Sequence, residues 1–252
     1  MSTPDGNNIL VGSGVVYFNR RNLDNTFAGF RHLGNVSKLE VNPAITTIEK
    51  KSSMDAARAT IQRAITETKA EVNLTLDEFD PNNVAIALLG DVGTFTQSSS
   101  TATDSALGTV ALGFALDTGK KKITVTSVKK GGTTFVLGTD YTVDSDAGLI
   151  TFLAGGTVAN ADVVTWSGSV PALSSAIVHA LSNGNVRGAM RFVSSADQVG
   201  PRTIVDIWDV AMSPNGAISL IADQFGEIGL QGNALPDATK AVGQRFAQVI
   251  YL

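Results

Sequence analysis

The sequence predicts a mainly β protein with one short α-helix and a small inserted β-rich module. The chain has 252 residues, which is long enough for one large domain or two small ones with a sizeable core. Its 25 glycines, together with many Thr, Ser and Val residues, are typical of short strands joined by turns. In many short segments apolar and polar side chains alternate, and this period of two is the pattern of half-buried strands.

The N-terminal part of the chain is predicted to contain strands over residues 9–18, 27–33 and 36–42. A charged loop is predicted over Glu49–Arg58. A long strand is then predicted from Ala59 to Leu76, because its Thr and Ile residues favour an extended chain and its last residues alternate. The stretch of residues 46–90, which contains this loop, this strand and the segment that follows it, is the one around which we expect the fold to be organised.

The single helix is predicted directly after that strand. Asp80 is a plausible N-cap and Pro81 occupies the first turn, where proline is tolerated. An apolar run follows, and Gly90 is predicted to end the helix. We expect this helix to pack on one side of the sheet as a brace.

The middle of the chain is predicted to form a separate module. A Ser/Thr-rich linker is predicted over residues 97–106, a β-rich module over 107–168, and the main domain is expected to comprise 1–106 and 169–252. The module's predicted strands are 123–128, 133–137, 141–143, 149–153 and 163–166. After the module, strands are predicted at 176–181, 187–193, 202–212, 218–223, 226–232 and 246–252.

Two strands carry a polar face opposite their apolar one. The polar residues are Lys38, Glu40 and Asn42 on one strand, and Glu71, Asn73 and Thr75 on the other. A half-buried strand must turn such a face towards water or towards a partner. Either face is a candidate for a water-filled channel, and exposure to bulk solvent on a monomer is the alternative.

The composition excludes several classes of function. The net charge is −4 and the pI is about 5.2, and the sequence lacks the basic surplus that a nucleic-acid-gripping protein needs. The chain has no cysteine, so disulfides, thiolate zinc sites and cysteine nucleophiles are excluded. No apolar run approaches the length of a membrane helix and no signal peptide is recognisable, so we expect a soluble protein without a membrane anchor, made in a cytoplasm.

The sequence offers no catalytic or metal-binding pattern. Its two histidines, His32 and His179, are far apart in the chain and lack the spacing of a triad or a zinc site. The carboxylates around the end of the long strand fit a solvated face and a helix cap better than a pair for acid–base chemistry. We therefore expect a non-enzyme without metal or cofactor.

Several segments, in this order, resemble the tail tube (major tail) proteins of tailed bacteriophages. The segments that carry the resemblance are GVVYFNR, FRHLGNVSKLEVNPAITTIEKKSSMDAARA, AEVNLTLDEFDPNNVAIALLG and IVDIWDVAMSPNGAISLIADQFGEIGLQGNALPD. The stretch FVLGTDYTVDSDAGLITFLAGGTVANADVVTWSG is similar to a β module that is frequent in phage structural proteins. Together these weak motifs span most of the chain.

The resemblance implies a structural role in a virion tail. Members of that family form hexameric rings that stack into a tube, in which each subunit contributes a sheet to a continuous barrel with a helix packed outside. The lumen conducts genomic DNA and the tape-measure protein, without reading DNA sequence. The partners implied are other copies of the chain, the tape-measure protein, and the tail terminator and baseplate proteins.

In that family a long hairpin loop reaches the neighbouring ring, and here the loop would lie at about Thr46–Arg63. Its mixed charges suit polar, reversible docking between rings. The residues proposed for this inter-ring contact are Glu49, Lys50, Lys51, Ser53, Asp55 and Arg58. The module at 107–168 is expected on the exterior of the tube, because its bulk would block the channel.

Two other functions are open at this point. The first is a tail decoration or host-surface-binding β module that forms no tube. The second is a β-rich hydrolase, which would need a catalytic cluster that the sequence does not show.

Overall fold

The regular secondary structure of the described residues consists mainly of antiparallel strands. The computed structural model describes residues 5–22, 24–54 and 56–252. Its helical elements are α1 (Pro81–Ala87) and a 3-10 turn at Gly6–Asn8. The prediction of a mainly β fold with one short helix is confirmed.

The strands are β1 (Gly14–Arg20), β2 (Arg31–His32), β3 (Val36–Lys51), β4 (Thr60–Leu76), β5 (Asp91–Gln97), β6 (Ser100–Thr109), β7 (Ala115–Asp117), β8 (Thr124–Lys130), β9 (Thr133–Thr134), β10 (Tyr141–Asp144), β11 (Leu149–Phe152), β12 (Val163–Val170), β13 (Leu173–His179), β14 (Val186–Ser194), β15 (Thr203–Pro214), β16 (Ile228–Ala234) and β17 (Ala247–Tyr251). The predicted long strand, Ala59–Leu76, agrees with β4 to within one residue.

The chain divides into two compact units. The first contains the described residues through Gly93 together with Val178–Leu252, and the second is Thr94–Ile177. The second unit is thus longer at both ends than the predicted 107–168. The prediction of a linker at 97–106 is wrong, because most of this stretch belongs to β6, which pairs with β12.

The first unit is organised around one eight-stranded sheet in the order β2-β1-β14-β15-β16-β4-β3, with β17 also paired to β15. β15 is its central strand. One edge of β15 pairs with β14. The other edge pairs with β17 over Thr203–Ile207 and with β16 over Val210–Pro214.

One face of this sheet carries the apolar core, and α1 packs on that face through Ile86 and Ala87. Burial of each large apolar side chain stabilises the fold by about 1.5–3 kcal/mol. The core residues contributed by the strands are Val16, Phe18, Val72, Leu74, Leu76, Val186, Met190, Ile207, Val210, Met212, Ile228, Leu230 and Ala234.

The end of α1 differs from its prediction. The helix stops at Ala87, and Leu89 rather than Gly90 takes the left-handed conformation, with a φ of 48°. Gly90 is needed for a different reason. A Cβ atom at this position would lie 2.2 Å from the carbonyl oxygen of His179, so only glycine permits this close approach of two backbone segments.

The second unit has a core of its own beneath two small sheets, β10-β11-β7 and β6-β12-β8-β9. Trp166 and Phe152 are buried at its centre. The buried carboxylate of Asp140 accepts hydrogen bonds from the backbone amides of Val136 and Val158, among others. Hydrogen bonding by the Val136 amide, together with the Thr157 donors, lowers the pKa of Asp140.

One predicted strand is absent from the structure. Ile218–Asp223 lies in an irregular loop between β15 and β16, although its apolar composition favours a strand. Ile218 packs against the core, whereas Leu220 and Ile221 are exposed. A strand needs a neighbour to pair with, and the described part of the chain supplies none for this segment.

Candidate functional site

The two polar faces predicted separately form one surface. In the β3–β4 ladder, Lys38 lies opposite Thr75, Glu40 opposite Asn73, and Asn42 opposite Glu71. Directly opposed residues of an antiparallel pair project to the same side of the sheet. All six candidate residues therefore share one face, which is the face opposite the apolar core. We call it the polar face.

The polar face continues across neighbouring strands. Asn73 is opposite Gln231 on β16, and Gln231 is opposite Ser213 on β15. With Glu40 these residues form a polar row four strands wide, drawn from distant parts of the chain. The next row of the same face runs across five strands. Its successive opposed residues are Asn42, Glu71, Asn233, Ala211 and Arg187. Gln231 and Asn233 alternate with buried Leu230 and Gly232 in β16, which shows how one strand serves both faces.

The basic groups of the polar face are paired with carboxylates. Lys38 contacts Glu40 at 3.1 Å, and Lys69 contacts Glu67 at 3.0 Å. Both pairs are exposed, so each contributes at most about 1 kcal/mol to stability. Their main effect is on charge, because each ammonium group has a carboxylate beside it.

A stronger ion pair joins β14 to β15 on the same face. The guanidinium of Arg187 donates from Nε to Oδ1 of Asp209 at 2.7 Å and from Nη2 to Oδ2 at 2.5 Å. Asp209 is almost fully buried, and Arg21 donates to it at 3.4 Å. The hydrogen bonds to Asp209 raise the pKa of Arg187 above its ordinary value.

A second ion pair between β14 and β15 lies on the polar face. Arg191 donates to Oδ1 of the buried Asp206 at 2.5 Å, and Gln248 of β17 donates to Oδ2 at 3.1 Å. The guanidinium of Arg191 also lies over the ring of Phe30, 5.0 Å from its centroid. The arginines of this face are thus engaged within the sheet.

The predicted inter-ring loop is the end of a long projecting hairpin. Only residues Ala70–Leu76 of β4 pair with β16, whereas Thr60–Lys69 pair with β3 alone. We call the two-stranded part beyond the sheet, residues 44–69, the arm. Its described residues are nearly all exposed. A two-stranded ribbon without a third strand is marginally stable in water, which favours a partner for the arm.

The boundaries of the loop need correction. Glu49, Lys50 and Lys51 lie within β3, opposite Arg63, Gln62 and Thr60, and the connecting turn begins at Ser52. The charges of these residues hid the strand, because charged residues are depleted in strands that pack on both faces.

The turn at the tip holds the remaining candidate residues. The backbone amide of Ser52 donates to the carbonyl of Ala59 at 2.7 Å and closes the hairpin. Ser53 and Arg58 are exposed at the tip, where Arg58 has a φ of 46°. Asp55 lies outside the described residues.

Sequence reasoning missed the most distinctive side chains of the arm. Four isoleucines (Ile45, Ile48, Ile61 and Ile65) are 59–64% exposed. Such a concentration of large apolar side chains in water marks an interaction surface. These isoleucines flank the charged segment on both sides in the sequence, and β-branched residues at such positions are typical of strands.

A polar cluster joins the N-terminus of α1 to the segment of β2 that precedes the hairpin. Oδ1 of Asp80 accepts the amide of Asn82 at 2.6 Å, which confirms the predicted N-cap, and Arg31 contacts Oδ2 at 2.8 Å. Burial by itself would raise the pKa of Asp80, but the Asn82 amide, the Arg31 guanidinium and the Asn83 amide outweigh it, so the pKa lies below the ordinary value. The buried side-chain amide of Asn83 donates from Nδ2 to the carbonyl of Leu33 at 2.8 Å.

The histidines do not assemble a site. The Nδ1 atom of His32 accepts the amide of Gly34 at 2.8 Å, and its ring packs edge-on against Tyr17. His179 is exposed at the end of β13. Among residues 5–22, 24–54 and 56–252, no three His, Asp or Glu side chains are grouped so that they could hold a metal ion. In the same ranges no helix is long and apolar enough to cross a membrane.

Comparison with known proteins places the chain in a family without assigning a role to it. No curated protein matches the sequence. A family model described as "Protein of unknown function UCP028589" matches residues 9–251. Because this match covers nearly the whole chain, the protein belongs to the family UCP028589.

Proposed function

We propose that the protein is a virion structural protein that self-assembles into stacked hexameric rings, forming the tail tube of a bacteriophage. Two things support this function: the resemblance of the sequence to tail tube proteins, and one structural observation. A single sheet presents a polar face four strands wide on one side and the apolar core on the other. Such a sheet is suited to line a water-filled channel while its other side remains packed.

The charges of the polar face support a conduit for DNA. A surface that holds DNA offers unpaired cations to the phosphates and releases counterions on binding. Here Lys38, Arg187 and Arg191 each have a carboxylate partner within the sheet, and Lys69 has one at the start of the arm. A duplex would therefore meet a hydrated wall with little net attraction, over which it can slide.

The arm supports self-assembly. A ring closes through a heterologous contact that returns on itself, and stacking requires a second heterologous contact that stays open. A ribbon that projects beyond its own sheet and exposes four isoleucines is suited to the second of these contacts.

The proposed role defines the partners and the location. The main partner is the chain itself, in hexameric rings that stack. The tape-measure protein and genomic DNA would pass through the lumen, and the terminator and baseplate proteins would cap the tube. The protein would then belong to the virion tail, after synthesis in the cytoplasm of a bacterial host, and it would have no catalytic role and no cofactor.

A second candidate function is supported by the independent core of the Thr94–Ile177 unit. A compact β unit with its own core can serve as a tail decoration or host-surface-binding module in a protein that forms no tube.

Negative-stain electron microscopy of the purified full chain, over a range of protein concentrations, separates the two functions. The tail tube proposal expects rings with a central channel, and tubes at higher concentration. Monodisperse particles at every concentration would favour the decoration or binding module.

A further inference from the structure

Two groups of exposed apolar side chains in the first unit lie at opposite ends of β4, and further exposed apolar residues of the unit lie elsewhere, among them residues 9–11 and 249–252. The arm lies at the Thr60 end, with its four isoleucines. Leu76, at the other end, is paired with Ile228, the first residue of β16. Strand β4 has 17 residues, so at about 3.3 Å per residue its ends are roughly 55 Å apart.

A second exposed apolar segment lies beside Leu76. It is the loop of residues 215–227, which we call the base loop, and it leaves β15 after Pro214 and enters β16 at Ile228. The two ends of the base loop are held together, because the backbone amide of Asn215 donates to the carbonyl of Gly229 at 2.9 Å. Gly226 lies so close to the ring of Phe79 that a Cβ atom there would be 2.8 Å from it.

The large apolar side chains at the centre of the base loop are almost fully exposed. Leu220 is 86% exposed, Ile221 96% and Phe225 100%. None of these three side chains belongs to the buried core or to the residues packed against it. A surface of this kind is a site for a partner.

The charges of the two ends are complementary. Residues 49–63 contain four cations (Lys50, Lys51, Arg58 and Arg63) and two anions (Glu49 and Asp55), a net charge of +2. Residues 215–227 contain two anions, Asp223 and Glu227, and no lysine or arginine, a net charge of −2. Opposite charges around two apolar patches favour their mutual contact and oppose contact of either patch with itself.

We infer that the arm of one copy docks on the base loop of a second copy, with Ile61 and Ile65 of the arm packing against Leu220, Ile221 and Phe225. Because the two surfaces are different and lie at opposite ends of one strand, the contact is head-to-tail and repeats without closing. It extends the stack along the direction of β4. The inference rests on the proposed tube, and it identifies the receptor of the arm and the apolar character of the contact, where the sequence predicted polar docking.

The chain has no cysteine, so pairs of introduced thiols can test this contact in the full-length protein. Two single variants, Ile61→Cys and Phe225→Cys, are mixed, assembled and treated with a short bismaleimide. We expect a covalent dimer containing one copy of each variant. Val242→Cys, which replaces an 85% exposed residue in another loop of the same unit, serves as the matched control in place of Phe225→Cys and should give at least tenfold less of this dimer.

The double variant Ile61→Cys/Phe225→Cys tests whether the contact is made between copies. Head-to-tail docking gives a ladder of covalent oligomers. A cross-linked monomer without a ladder would overturn the inference, because the arm and the base loop would then meet within one chain.

Assembly by a charged variant separates this inference from the proposed function. Phe225→Asp should form rings but at least tenfold fewer particles longer than one ring, whereas Val242→Asp should stack like the parent protein. Tubes of normal length from Phe225→Asp, without the covalent dimer, would overturn the inference and leave the tube proposal intact. If the parent protein forms no rings and the mixed Ile61→Cys and Phe225→Cys variants give no covalent dimer, both are overturned.

Discussion

Glu40 and Asn73 lie directly opposite each other on β3 and β4, and both side chains project from the polar face of the sheet. Asn73 is in turn opposite Gln231. Along β4, Asn73 lies between Val72 and Leu74, which are buried in the core. One strand therefore contributes both to the stability of the subunit and to the surface proposed to line the channel.

The first prediction concerns the charge of that surface. Glu71→Arg removes an anion and adds a cation to the polar face. We expect its assemblies to bind labelled duplex DNA at low salt, with an affinity that falls as salt rises and a log–log slope steeper by about one per added phosphate contact. Fluorescence anisotropy over a salt series measures this. Asp146→Arg, an equal charge change at an exposed turn of the second unit, is the control. Equal binding by both variants would contradict a special role for the polar face.

The second prediction concerns the ion pair between β14 and β15. Asp209→Ala leaves Arg187 without its bidentate partner, and Arg21 also loses an acceptor. Since Asp209 is buried but Arg187 retains some access to water, we expect the free energy of unfolding to fall by about 2–3 kcal/mol. Glu40→Ala, which removes the exposed partner of Lys38, should change it by less than about 1 kcal/mol. Urea denaturation measures both, and equal losses would show that burial does not govern these pairs.

The third prediction concerns pH and the helix cap. The pKa of Asp80 is lower in the folded protein than its ordinary value, so its carboxylate stabilises the fold fully above an unfolded pKa of about 3.9 and the contribution is lost as pH falls through the folded pKa. Asp80→Asn keeps a capping side chain but removes the charge that faces Arg31. We expect the difference in unfolding free energy between parent and variant to be constant near neutral pH and to shrink below about pH 4. A difference that persists at pH 2 would mean that the charge of Asp80 is not its source.

The fourth prediction concerns the arm. Replacing residues 50–62 by Asn-Gly closes the hairpin at the Glu49–Arg63 pair with a two-residue turn. Because the removed residues are nearly all exposed, we expect the free energy of unfolding to change by less than about 1 kcal/mol while stacking of rings is lost. Thermal unfolding and sedimentation velocity measure the two effects. Tubes of normal length from a folded, shortened chain would contradict the role of the arm.

Local signals were sufficient to predict the elements next to the candidate surface. The alternation that ends in Val72, Leu74 and Leu76 predicted β4, and the Asp80-Pro81 pair predicted the start of α1. Both signals depend on the periodicity of a strand or on the capping of a helix within a few residues, which can be read without knowledge of distant contacts.

Pairing between distant segments could not be read in this way. The Ser/Thr-rich residues of β6 resemble a linker and become a strand because β12 pairs with them. The exposed run around Leu220 and Ile221 resembles a strand, yet no described strand pairs with it. The polar row of Glu40, Asn73 and Gln231 depends on the register of three strands, which a single sequence does not specify.

The most direct test of the account is a helical reconstruction by cryo-electron microscopy of assembled full-length protein, at a resolution that shows side chains. We expect a tube of stacked rings whose channel wall carries Glu40, Asn73 and Gln231, with the apolar core of each subunit behind that wall. A tube whose channel is lined by another surface, or a protein that forms no tube at all, would contradict it.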